Sequence, residues 1–304
     1  MAQRSENVRR SVTWRVEERE AIRALGSVGL RPRHALAIPG GCAYWTFDVD
    51  GARIARFPRN RDVAESTHRE LALLPELAEK LSFAIPDPTH DGVWQGQPFF
   101  VYRRILGRPL EPDDATVEIL DALGAMLGEL HEFPVERAAP LLGTGDPGSA
   151  WRDHLEELWT TIESEALPAM EPDLGDRVAR EYQAFLATDF NFPHCVVHND
   201  LGLEHILIND STSTLSGFID FESAWIGDPA VDFVPLRADL GRAAFETVSS
   251  GRDLGERLEP RMHFYRWLGS VHAVLYGVNE GADAELVDGL AQLRERIESS
   301  PTAS

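Results

Sequence analysis

The densest run of reactive side chains is VVHNDLGLEHILIN at residues 196–209, followed by GFIDFESAWIGDPAVDF at 217–233. Asp200 comes after two β-branched residues and a His, so it leaves a buried strand and enters a loop. A carboxylate placed there can accept a proton from a substrate hydroxyl. His205 lies five residues later, and Asp220 ends another apolar strand twenty residues after Asp200. Two loop-tip ligands on adjacent strands can hold a divalent cation, which would neutralise charge on a phosphoryl group during transfer. The same stretch permits a zinc reading, since His194, Cys195, His198 and His205 include a Cys-x-x-His spacing. Against it, Cys195 and His198 point to opposite faces of a strand.

Such residues need elements to position them. AIPGGCAYWTFDVDGARIARFPR alternates apolar positions around a Gly-Gly turn and an Asp50-Gly51 turn, a β-hairpin signal. Residues 62–80 read as a helix carrying Leu71, Leu74 and Leu77, with Pro75 expected to kink or restart it. QPFFVYRRIL is a further strand, apolar enough at Phe99–Tyr102 to sit centrally in a sheet. After Gly107 the chain turns helical. DDATVEILDALGAMLGELHEF offers Asp113 and Asp114 as caps and puts Val117, Leu120, Leu123, Leu127 and Leu130 on one face. Residues 150–187 are helical in pattern, broken near Pro168 and Pro172. CVVH, HILIN and SGFIDF return as short strands, and from 229 onward the pattern is helical again. Asp228 reads as a helix N-cap, Asp232 as a tie to nearby backbone, and Cys42 as an inert strand residue. Trp14, Trp151, Trp159 and Trp267 read as packing residues.

Length and charge bound the rest. The 304 residues suggest about two domains and a sizeable core. No apolar run approaches the ~20 residues of a membrane helix, and the first twenty residues lack the apolar centre of a secretory signal. Two cysteines exclude a disulfide framework and fit a reducing cytoplasm. The net charge of −21 argues against nucleic acid or an anionic membrane as partner. That charge is uneven: residues 1–107 hold 16 basic and 13 acidic side chains, a net of +3, which leaves −24 for residues 108–304. Acidity favours solubility, and on one lobe it also favours a cationic ligand.

Taken in order, IARFPR, RELALLPEL, PFFVYRRILGRPL, LGELHEF, HNDLGLEH, IDFE and DPAVDF resemble the aminoglycoside phosphotransferase family of antibiotic and small-molecule kinases, distant relatives of protein kinases. The resemblance implies an α+β, bilobal, protein-kinase-like fold. A small β-rich nucleotide-binding lobe would span 1–107 with a hinge at about 101–107, and a larger helical catalytic and acceptor-binding lobe 108–304. It implies Asp200 as catalytic base, His198 as anchor of its loop, and His205 and Asp220 as Mg²⁺ ligands. Arg56 takes the place of the usual strand lysine and Glu70 that of its helix partner. Gly40 and Gly41 would cover the phosphates of ATP or GTP, and Arg103 and Ile105 would meet the purine. Glu222 and Asp239 are candidate substrate contacts.

Two positions depart from the family pattern. Arg at 56 keeps the charge with a different reach, and His at 205 replaces an oxygen ligand by nitrogen. Motifs such as KLSFAIPDP, ILGRPL and CVVHND are most similar to aminoglycoside 2''-phosphotransferases, with macrolide phosphotransferases next. The implied activity is transfer of a γ-phosphate to a hydroxyl of a cationic antibiotic by a cytoplasmic monomer that confers resistance. The alternatives are a macrolide 2'-phosphotransferase, a small-metabolite kinase, or a non-enzymatic protein that binds polycations.

Overall fold

A computed structural model describes residues 14–299; most of the segment read above for a secretory signal lies outside them. The described chain forms two compact units. One runs up to His68 and resumes over Pro88–Arg104; the other takes Arg69–Asp87 and everything from Ile105.

The first unit begins with helix α1 (Glu18–Ser27), then strands β1 (Ala35–Ile38), β2 (Tyr44–Val49) and β3 (Arg53–Pro58). The opening turns of α2 (Arg61–Lys80) follow, then β4 (Pro88–Trp94) and β5 (Gln97–Arg103). The strands make one antiparallel sheet in the order β1-β2-β3-β5-β4. Asp50 and Gly51 both take left-handed φ, 55° and 71°, as the Asp-Gly pair predicts for a hairpin. Asp50 also accepts hydrogen bonds from the Arg33 and His34 amides, which hold its carboxyl below the usual range. Phe99 to Tyr102 are all buried because β5 lies inside the sheet, flanked by β3 and β4. One face packs Phe47, Phe57, Phe99 and Val101 against Ala21, Ala24 and Leu25 of α1. Cys42 is corrected: it lies in an exposed bend before β2, because the strand starts only at Tyr44.

Helix α2 corrects a second expectation. It runs unbroken through Pro75, which is exposed, while Leu73, Leu74 and Leu77 are buried. Proline costs one backbone donor there, and burial of the leucines outweighs it.

The second unit continues with β6 (Arg108–Pro109) and helices α3 (Val117–His131), α4 (Val135–Leu142), α5 (Ala150–Thr161) and α6 (Pro172–Leu186). Strands β7 (Cys195–Val197), β8 (Ile206–Asn209), β9 (Thr214–Phe218) and β10 (Trp225–Gly227) come next. Helices α7 (Ala230–Val248), α8 (Leu258–Glu280) and α9 (Asp283–Glu298) complete it. The strands form two small antiparallel sheets, β6-β8-β9 and β10-β7. Thr116 caps α3, accepting from the Ile119 amide. Asp114 does not cap α3: it accepts the Glu111 amide at 2.9 Å in the capping box of the 3-10 turn Pro112–Asp114 and takes a two-pronged ion pair from Arg108 at 2.7 and 2.8 Å. Val117 is 64% exposed, so the apolar face of α3 begins only at Ile119 and Leu120.

Chain crossings are tight near the β8-β9 hairpin. Ala84 exchanges backbone hydrogen bonds with Ser216 and Phe218, and a Cβ on Gly217 would sit 1.8 Å from the Ala84 carbonyl oxygen. Only glycine fits at that approach.

Candidate active site

The loop that carries Asp200 starts where β7 ends. Cys195, Val196 and Val197 are buried, and His198 behind them is fully buried. Its Nε2–H donates to the Ile219 carbonyl at 2.9 Å, which fixes the tautomer and ties the end of β7 to the end of β9. Burial lowers the His198 pKa, which favours the neutral ring. Asn199 then turns the chain with φ +64°.

Asp232, in the first turn of α7, fastens that turn. Its carboxylate is completely buried and accepts from the His198 amide at 3.0 Å, the Asn199 amide at 2.7 Å and His131 Nε2 at 2.9 Å. Asp232 ties backbone, as its place in DPAVDF predicts, and the tied backbone is the segment that presents Asp200. His131, the histidine of LGELHEF at the end of α3, is the third member and had no role assigned from sequence.

Asp200, His205 and Asp220 come together. His205 Nδ1 donates to the Asp200 carbonyl at 2.6 Å, leaving the Nε2 lone pair directed toward Asp220 Oδ2, 3.8 Å away. Asp200 Oδ2 is 3.8 Å from His205 Nδ1. Asp220 adopts left-handed backbone, φ 69°, at the exit from β9, so that its side chain turns back toward the loop. The Asp200 side chain is 62% exposed yet walled by protein, and that desolvation, opposed by His205 and helped by Asp220 and Glu204, pushes its carboxyl up to about 6. A divalent cation fits the donor set: one imidazole lone pair and one carboxylate, with further positions left to water or phosphate oxygens. No group of three or more His, Cys, Asp or Glu side chains able to hold a metal occurs among the described residues. That leaves the zinc reading of His194, Cys195, His198 and His205 without a cluster.

A cavity of about 540 Å³ opens beside Asp200 and Asn199, entirely within the second unit. Its apolar wall comes from α5 (Trp151, Leu155), α7 (Val234, Pro235) and α8 (Leu268). Buried Asp228 braces this wall: it accepts from Tyr265 Oη at 2.7 Å, and Tyr265 in turn accepts from Trp151 Nε1 at 2.9 Å. Asp228 also takes Arg261 and the Ala230 amide, so the residue read as a helix cap is a wider junction. The His154 ring lies between Trp151 and Trp225, and burial pushes its pKa down to about 4; burial lowers His272 too. Both cavity imidazoles are therefore neutral near pH 7. The charged lining consists of Asp200, Asp239, Arg266 and Arg296, two of each sign. The −24 of this part of the chain is thus not concentrated in the cavity.

The remaining candidates are spread more widely. Arg56 on β3 is buried with its guanidinium 3.8 Å from the Tyr44 ring centre, a cation–π contact on the sheet face opposite Phe57. Gly40 and Gly41 lie between β1 and β2 with φ of 102° and 71° and open space where a Cβ would stand. Arg103 ends β5, exposed and opposite Arg53. Glu70 is buried on α2, and Ile105 is half-buried at the start of the long second segment of its unit. Asp239 does line the cavity. Glu222 sits half-buried on the 3-10 turn after Asp220 and does not line it. Sequence reasoning missed His154, His272, Arg266 and Arg296, because each is single on a helix face and only packing brings them together.

Against known proteins, a family model described as phosphotransferase enzyme family matches residues 40–268. A viomycin phosphotransferase of Streptomyces vinaceus is 30% identical over 265 residues, covering 81% of this chain and 88% of that one. Among solved structures, the GDP and kanamycin complex of an APH(2") enzyme is similar with a TM-score of 0.77 at 24% identity, over 92% of this chain and 98% of that one. A macrolide 2'-phosphotransferase type I gives 0.69 at 23% identity, over 90% and 96%.

Proposed function

The chain belongs to the phosphotransferase enzyme family, and from that premise we propose that it moves the γ-phosphoryl group of ATP or GTP to a hydroxyl of an antibiotic. The observation that carries this reading is the convergence of Asp200, His205 and Asp220, with Asp200 itself lining a cavity large enough for a small molecule.

Asp200 holds the acceptor hydroxyl and takes its proton as the oxygen attacks phosphorus in line. One P–O bond forms to the acceptor, the bond from the γ-phosphorus to the bridging oxygen breaks, and the nucleoside diphosphate leaves. His205 Nε2 and Asp220 would hold Mg²⁺, which when bound offsets charge on the phosphates. His198 and Asp232 keep the loop in place so that Asp200 meets the hydroxyl without reorganisation. His198 and His205 are engaged with backbone carbonyls and no Ser or Cys stands in a nucleophile position of the motif, so transfer is direct. The nucleotide roles of Arg56, Glu70, Gly40, Gly41, Arg103 and Ile105, and the substrate roles of Glu222 and Asp239, are part of the same proposal. Family membership supports them.

Relatives named for viomycin, aminoglycoside and macrolide define the acceptors to try. The aminoglycoside reading, with a 2''-hydroxyl, draws on the acidity of the second unit; the macrolide reading draws on the apolar cavity wall. No helix among the described residues is long and apolar enough to cross a membrane, consistent with a cytoplasmic enzyme. The test is a coupled nucleotide-consumption panel of viomycin, kanamycin, gentamicin, erythromycin and simple amino alcohols, each with ATP and with GTP. Turnover with an antibiotic that disappears in Asp200→Asn is expected. Turnover only with amino alcohols would replace this reading by a metabolic kinase, and antibiotic binding without turnover would leave a polycation-binding protein.

A further inference from the structure

The side chain next to Asp200 carries an unused hydrogen-bond acceptor. Asn199 is half-buried and lines the same cavity as Asp200. Its Nδ2–H donates at 3.2 Å to the carbonyl of Ser223, on the 3-10 turn Phe221–Ser223 that follows Asp220. A backbone carbonyl only accepts, so this contact fixes which way round the carboxamide lies. Oδ1 is the other branch of that carboxamide, and no donor among the described residues meets it. The Asn199 backbone amide donates to Asp232 at 2.7 Å, so the residue is held at its main chain and at its side-chain nitrogen. Its left-handed backbone, φ 64°, favours asparagine over most residues, but glycine takes that conformation at no steric cost. What glycine lacks is the carboxamide.

We propose that Asn199 is an acceptor-binding residue: Oδ1 takes a hydrogen bond from an O–H or N–H group that lies close to the hydroxyl held by Asp200. Two consecutive side chains then grip two neighbouring donors of one molecule, and that choice decides which hydroxyl faces Asp200. The acceptor class that fits has a hydroxyl with a second hydroxyl or an amine beside it. A lone alcohol gains nothing from Oδ1 and is disfavoured by comparison. The charged lining of the cavity is balanced, two carboxylates against two guanidinium groups, so a neutral carboxamide selects by the position of a donor and not by net charge. That the bound molecule is phosphorylated rests on the kinase reading above; that Asn199 binds it does not.

The probes are kanamycin, viomycin and erythromycin, titrated by calorimetry into the full chain without nucleotide, for the wild type, Asn199→Gly and Asn199→Asp. Acceptor and nucleotide KM are then measured for each probe that turns over. Asn199→Gly keeps the left-handed turn and removes only the carboxamide. At least one probe should bind the wild type. That probe should bind Asn199→Gly about 5-fold more weakly, the worth of one neutral hydrogen bond, with acceptor KM rising alike and nucleotide KM unchanged. Asn199→Asp tolerates the turn and keeps an oxygen but cannot donate to Ser223, so it should bind at least as well as the wild type. Asn199→Ala makes the same removal if the glycine variant does not fold. Binding by Asn199→Gly within about 2-fold of the wild type, less than a hydrogen bond contributes, would mean that asparagine serves the turn alone and would overturn the inference. Asn199→Asp as weak as Asn199→Gly, or no binding of any probe, would overturn it too. Weaker binding by Asn199→Gly with no turnover of any probe would instead defeat the kinase reading alone.

Discussion

Replacing Asp232 by Asn should damage both stability and catalysis, although Asp232 touches no substrate. Its two carboxylate oxygens accept from two consecutive backbone amides, His198 and Asn199, and from the His131 ring. An Asn presents one oxygen and one NH₂, so at least one of those amides would face a donor and lose its partner inside a fully buried site. Hydrogen bonds to a charged group contribute about 1.5–3 kcal/mol each, and an orphaned buried donor costs about 1–3 kcal/mol. The expected loss is about 3 kcal/mol, which for a domain of this size lowers the melting temperature by roughly 6–12 °C. Because the freed amides belong to the segment that presents Asp200, kcat should fall at least 10-fold at saturating acceptor, with a smaller change in nucleotide KM. Differential scanning fluorimetry and steady-state kinetics on Asp232→Asn and Asp200→Asn together make the check. Asp200→Asn should lose activity without losing stability. An Asp232→Asn protein that melts within 2 °C of wild type, by the same scale, and keeps its kcat would refute the positioning argument.

Three further outcomes follow from the same geometry. Gly217→Ala should destabilise by more than about 2 kcal/mol in urea unfolding, because its Cβ has no room beside the Ala84 carbonyl and backbone must shift. His205→Ala should cut turnover at least 100-fold and raise the Mg²⁺ concentration needed for half-maximal rate, and chelation should stop the wild type until Mg²⁺ is restored. At acid pH, Arg108 holds the Asp114 carboxyl down to about 2. Its contribution to stability is therefore complete above the unfolded value near 4 and lost as pH falls through about 2; Asp114→Asn should lower stability at pH 7, flatten the stability curve between those values and bring it level with wild type at the acid end.

Much of this could be read from the sequence because the informative residues lie close together along the chain. HNDLGLEH and IDF bring Asp200, His205 and Asp220 within twenty residues, and two short strands suffice to place them side by side. Asp50-Gly51 announced its hairpin, and the Phe99–Tyr102 run announced an interior strand, since both signals are local. What was not legible depends on distant packing. Pro75 forecast a break that the buried leucines of α2 override. Asp114 caps only the 3-10 turn before α3 because Arg108 also binds it, and β10 and α1 are short elements whose apolar pattern is weak. The cavity draws on α5, α7, α8 and α9, so no window of sequence shows that His154, Arg266, His272 and Arg296 share it. Total charge was legible and its placement was not: the acidity lies over the second unit as a whole, while the cavity holds as many arginines as aspartates.

The central claim is direct transfer from nucleotide to an acceptor hydroxyl at Asp200. Mass spectrometry and phosphorus NMR of the acceptor after incubation with protein, Mg²⁺ and ATP or GTP test it most directly. One phosphate ester on an antibiotic hydroxyl, formed by wild type and absent with Asp200→Asn of equal stability, is the predicted result. Phosphate ester formed at the wild-type rate by Asp200→Asn, or phosphate found on the protein in place of the acceptor, would contradict it.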